Sequence, residues 1–98
     1  MMEVVIQTSR RKDKKLDAVI DGKKTISFGA AGMSDFTLHK DDDRKERYIA
    51  RHRKNENWRD PKTAGFYSRW ILWNKKTLRE STDDLNARYK NINFILKK

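Results

Sequence analysis

Six side chains near the middle of the chain have the chemistry for a carboxylate–histidine metal site: Asp35, His39, Asp41, Asp42, Asp43 and His52. Carboxylates and imidazoles are the usual ligands of a hydrolytic divalent metal. The spacing of these six matches no ligand signature. Asp41–Asp43 serve equally well to offset the positive end of a helix, and His52 falls on the inner side of that same helix. There is no Cys, which excludes disulfides, thiolate metal sites and a cysteine nucleophile. No glycine-rich phosphate loop and no serine nucleophile elbow occurs. The expectation is a protein that is not an enzyme, with no metal and no cofactor.

The chemistry that does recur is cationic. Lys and Arg number 24 against 14 Asp and Glu, for a net charge of +10 and a pI near 10 in 98 residues. Such a balance favours polyanions: nucleic acid, an acidic membrane surface, or acidic patches on proteins. The candidate contact residues are Arg10, Arg11, Lys12, Lys14 and Lys15 in the run SRRKDKK, and Arg44, Arg47, Arg51 and Lys54, which recur at spacings of three and four. Arg53 and Arg59 extend the second group. Two readings stand side by side here: a solvated helix face with local pairs such as Asp43–Arg47, or a stripe that meets phosphate or acidic protein. Trp58, in the polar stretch NENW, reads as a surface anchor for a protein partner. Arg69 beside Trp70 has the composition of a base-stacking site, but a helix does not form a flat stacking platform, so the core reading is preferred there.

A scaffold must hold these residues. Charged residues make up 39% of the chain, above the roughly 25% usual for globular domains. The chain nevertheless carries three Trp, three Tyr and four Phe, which disordered chains normally lack. One domain over residues 1–98 follows. It is β-rich over about 1–38, helical over about 41–90, and ends in a basic tail over about 91–98. The β-branched run MEVVIQT reads as a strand. LDAVIDGKKTISF reads as a hairpin at Asp21-Gly22. Only an odd loop puts Leu16, Ala18 and Ile20 on the face of Ile26 and Phe28, so a three-residue bulged turn with Gly22 left-handed is expected. The two glycines of GAAGMSD allow close backbone approach, and DFTLH reads as a short extended piece.

From Asp41 the period becomes helical. Tyr48, Ile49 and His52 fall on one face of a helix over about 41–53. Asp60-Pro61 reads as the start of a second helix, on which Phe66, Trp70 and Trp73 share a face. The capping-box pattern Thr77-Leu78-Arg79-Glu80 starts a third, reaching about Tyr89. The tail INFILKK reads as an added strand or a docking segment. The fold expected is α+β, a small N-terminal antiparallel meander of about three strands followed by two or three short helices. Its core is expected to contain Phe28, Tyr48, Ile49, Phe66, Trp70, Trp73 and Leu85. No apolar run approaches the roughly 20 residues of a membrane span. The N-terminus, with its apolar run before its basic residues, lacks the order of a signal peptide. A soluble protein, intracellular or assembled inside a cell, is expected.

The segments FG…GMSDFT at 28–37, HKD at 39–41, RKERYIARHR at 44–53, NENW at 55–58 and DPKTAGFYSRWILWN at 60–74 together resemble a family of small basic proteins of nucleocytoplasmic large DNA viruses, the giant viruses of algae and amoebae. The resemblance covers roughly residues 22–80 and brings no assigned activity. It implies a viral protein made in the host cell and carried in the virion. The role expected is a minor capsid protein, cementing or scaffolding other major or minor capsid proteins and oligomeric only as part of that assembly. The alternative is a basic protein that binds or condenses viral DNA.

Overall fold

The computed structural model describes residues 1–97. Three strands follow one another as an antiparallel meander: β1 (Met2–Thr8), β2 (Lys14–Ile20) and β3 (Lys24–Ala30). Leu16 lies opposite Phe28 and Ala18 opposite Ile26, the register that the odd loop requires. Asp21 and Gly22 are both left-handed, at φ 52° and 69°, and the Lys23 N–H closes the turn on the Ile20 carbonyl at 2.9 Å. A left-handed Asp is held there by its neighbour strand: Asp21 N–H donates to the Glu3 carbonyl, and Asp21 Oδ1 accepts the Glu3 N–H, both at 2.8 Å.

A fourth strand, β4 (Ile92–Lys97), runs parallel to β1 and completes a sheet in the order β3-β2-β1-β4. The tail is therefore a strand of its own domain, with Ile92 and Phe94 buried, rather than a segment that docks on a neighbour's sheet.

The helical part differs from expectation in three places, each for a local reason. DFTLH is a helical turn, α1 (Phe36–His39), because Asp35 caps it by accepting the Thr37 N–H at 2.9 Å. The long helix α2 (Asp42–His52) starts as expected, with Asp41 Oδ1 accepting the N–H groups of Asp43 and Arg44. The next helix, α3 (Ala64–Tyr67), is capped by Thr63, not Asp60; the Asp60 carboxylate instead closes the preceding turn on the Lys62 N–H at 3.0 Å. α3 then widens into a π-helical turn over Ser68–Leu72, where the Trp73 N–H reaches the Ser68 carbonyl five residues back at 3.0 Å. The wide turn moves the buried face to spacings of five, so Phe66 and Ile71, and Tyr67 and Leu72, point inward together. Helix α4 (Leu78–Arg88) begins at Thr77, whose Oγ1 accepts the Glu80 N–H at 3.1 Å.

One face of the sheet packs under α3, the π-turn and α4. Val4, Ile6, Leu16, Ala18, Phe28 and Phe94 meet Phe66, Tyr67, Ile71, Leu72 and Leu85. Of the expected core, Phe28, Tyr48, Phe66 and Leu85 are buried. Ile49, Trp70 and Trp73 are only half-buried, the last two because the π-turn rotates them off the inward face.

Candidate partner-binding groove

An open groove of about 420 Å³ runs between the end of β3, the loop after it, the inner side of α2 and the start of α3. Ser27, Phe28, Gly29 and Ala30 form one wall, Tyr48, Arg51 and His52 the opposite one, with Met33 at the rim. Gly29 shapes the floor. Its φ is +77°, and a Cβ built there would sit 2.7 Å from Leu72 Cδ1. Only glycine lets the π-turn approach β3 this closely.

Helix α2 is held across the groove by ring stacking rather than by a broad apolar face. Tyr48 stacks on Trp73 at 4.4 Å with the planes 2° apart, and on His52 at 4.3 Å. Beyond Trp73 the row continues through His39 to Phe36. The His39 ring is neutral in this setting: burial and then the Arg44 charge hold its pKa below the ordinary value, and its Nδ1 accepts the Asp41 N–H at 2.9 Å.

A second row stacks cations on rings. Arg69 lies 4.4 Å from the Trp70 ring and 5.5 Å from Trp58, and Arg88 covers Trp70 at 4.4 Å. Burial, with Arg88 nearby, lowers the Arg69 pKa, and Arg69 Nη1 donates to the Trp73 carbonyl at 2.8 Å.

The cationic residues expected at the contact surface fall into distinct places. Lys14, Lys15 and Arg51 share the groove. Lys15 is engaged by the buried Asp35 carboxylate, whereas no ion pair among the described residues takes Lys14 or Arg51. Arg10, Lys12, Arg44, Arg47, Lys54 and Arg59 are exposed and do not line the groove. Arg11 is exposed and paired with Asp13 at 3.0 Å. Arg53 joins Glu46, Ile49 and Ala50 around a separate shallow depression on α2.

Trp58 is not the free anchor that NENW suggests. It is half-buried, its Nε1 donates to Glu56 Oε1 at 2.7 Å, and its carbonyl accepts the Trp70 Nε1–H at 2.8 Å. Lys45 turns inward from α2 to the Asn74 carbonyl at 2.6 Å, and burial lowers its pKa. Met33, overlooked in the sequence, stands 65% exposed at the groove rim. An apolar side chain after two glycines in a loop was the signal for it.

Among the described residues no group of three or more His, Asp or Glu could hold a metal ion. Asp35 is committed to Lys15 and Thr37, and His52 to Glu56. No helix among them is long and apolar enough to cross a membrane.

Residues 4–52 match a family of unknown function (DUF5754), a span that covers the meander, α1 and α2 but not α3, α4 or β4. No curated protein and no solved structure matches the chain.

Proposed function

Taking as premise that the chain belongs to this family of unknown function, we propose that it is a non-catalytic structural protein of a viral particle, a minor capsid component that docks on other shell proteins through the groove. The observation that carries this reading is the pairing of an exposed apolar side chain, Met33, with Lys14 and Arg51, two cations without ion-pair partners in an open groove. Apolar contact beside unpaired charge suits a protein surface, where desolvated anchors give affinity and charges give orientation. The viral setting rests on the sequence resemblance.

A second reading, binding of viral DNA, is favoured by a different observation. The acids of the 41–60 block are less available than their number implies. Asp41 caps α2, Glu56 bonds His52 and Trp58, and Asp60 closes a turn. Arg44, Arg47, Arg51, Arg53, Lys54 and Arg59 remain exposed against Asp42, Asp43 and Glu46.

Fractionating purified virions into DNA-free shells and released DNA separates the two. Retention with empty shells supports the capsid role. Absence from shells, together with duplex binding whose log affinity falls with log salt by about 0.9 per phosphate contacted, replaces it with the DNA role.

A further inference from the structure

The sheet has two edges, and they are treated differently. On β4 the first outward groups, at Ile92 and Phe94, are closed by the chain itself. The Ile92 N–H donates to the Tyr89 carbonyl at 3.2 Å. The Asn86 side chain then acts as a mock strand residue, accepting the Phe94 N–H at 2.8 Å and donating to the Phe94 carbonyl at 3.0 Å.

The β3 edge has no such cover. Its open positions follow from the register. Asp21 N–H bonds the Glu3 carbonyl and Ser9 N–H bonds the Lys15 carbonyl, so the odd residues of β2 face β1. Ile20 accepts from Lys23, so the even residues face β3. Leu16 lies opposite Phe28 and Ala18 opposite Ile26. Phe28 and Ile26 are therefore bonded to β2, and the alternation of an antiparallel pair turns the N–H and C=O of Thr25 and Ser27 outward. No strand among the described residues pairs with that side, and Ser27 is part of the groove wall.

We propose that the free edge of β3 takes up an extended acidic segment of another protein as a fifth strand, lying in the groove. Backbone pairing would supply affinity, and alternate side chains would read the pocket walls. The charge of the occupant follows from Lys14 and Arg51, which have no acid partner among the described residues, while the groove's own acids, Asp35 and Glu56, are already bonded to Lys15 and to His52 and Trp58. A second copy of this chain is disfavoured as occupant. Lys23 and Lys24 stand exposed at the start of β3, the placement that protects edges against self-pairing, and each copy carries a net charge of +10.

This inference rests on the groove being a protein-docking surface, and the test separates the two. The full chain is titrated with a fluorescent alternating valine–glutamate peptide, and with the same peptide N-methylated at every central amide. Fluorescence anisotropy reads affinity, and amide hydrogen exchange reads the edge. The expected result is binding of the parent peptide, slowed exchange at Thr25 and Ser27 with none added at Phe94, and weaker binding of the methylated peptide by about tenfold or more, the worth of one or two net backbone hydrogen bonds. Arg51→Glu is expected to weaken the parent peptide. Equal binding of both peptides without edge protection overturns strand addition and leaves the docking surface standing. Binding of neither peptide overturns strand addition as well, and if duplex DNA then binds with a steep salt dependence the docking reading falls with it.

Discussion

Replacing Gly29 by alanine tests the contact that shapes the groove. Two costs add at this position. A left-handed backbone with φ +77° is unfavourable for an L side chain by roughly 1–2 kcal/mol. The added methyl would also meet Leu72 Cδ1 at 2.7 Å and Lys15 Cβ at 3.3 Å. Leu72 is 4% exposed and has little room to swing away, so overpacking adds about 1–3 kcal/mol. The expected destabilisation is about 2–5 kcal/mol, a large share of the roughly 5–15 kcal/mol that holds a domain together. Gly32 is the internal control. Its φ is +86° with nothing within 4 Å of a built Cβ, so Gly32→Ala should show the backbone part alone, about 1–2 kcal/mol. Urea unfolding followed by tryptophan fluorescence measures both. In a Leu72→Ala background most of the steric part should vanish, leaving the milder Lys15 contact, and the Gly29→Ala cost should fall toward that of Gly32→Ala. Equal costs for the two glycine variants in the parent background would show that β3 and the π-turn do not approach as described.

Deleting residues 92–98 removes Ile92 and Phe94 from the core, each worth about 1.5–3 kcal/mol of burial, and bares β1; loss of cooperative urea unfolding is expected, and a sharp unfolding transition would contradict it. Asn86→Ala should cost about 1–3 kcal/mol by orphaning the Phe94 N–H and C=O, and should raise self-association measured by sedimentation as a second edge opens. Burial raises the Asp17 pKa, but the Ser27 and Ser9 hydroxyls and the Arg10 N–H more than offset this, so the net shift is below 3.8. A carboxylate with a depressed pKa contributes stability above its unfolded value and loses it as pH falls through the folded one. Asp17→Asn should therefore lower stability near neutrality and flatten the acid limb below about pH 5; parallel acid limbs in the two proteins would count against it. Trp70→Ala should cost about 3 kcal/mol, the low end for large aromatics in cores, since Trp70 is half-buried between Arg69 and Arg88.

The meander was legible because a two-residue period leaves few registers that keep Leu16, Ala18 and Phe28 together. Thr77 was legible as a cap because its hydroxyl acts on an amide three residues away, and Asp41–Asp43 were legible as the acidic start of a helix, though not which of them caps it. The π-turn was not. The spacing of Phe66, Trp70 and Trp73 fits an ordinary helix, and the wide turn packs through Leu72 against Gly29, a residue distant in sequence. Parallel pairing of β4 with β1 is equally non-local, so INFIL alone could not name its partner. The groove was legible only as a list of cations. Which acids neutralise them depends on side-chain direction, and Glu56 and Asp35 both bond within the domain. The same limit misplaced Trp58, whose polar neighbours in NENW include the carboxylate that ties it down.

The parallel pairing of β1 with β4 also orders events during synthesis. Residues 2–8 leave the ribosome some ninety residues before 92–97, yet they lie side by side in the sheet. Until then the meander exists with one flank of β1 bare and the hydrophobic side of its strands uncovered, since α4 is also made late. A nascent chain in that state is a ready template for other strands. Pairing of β4 with β1 therefore follows the local hairpins, which must form and wait for it. The chain would then be most prone to misassociate before β4 is made rather than after it has paired.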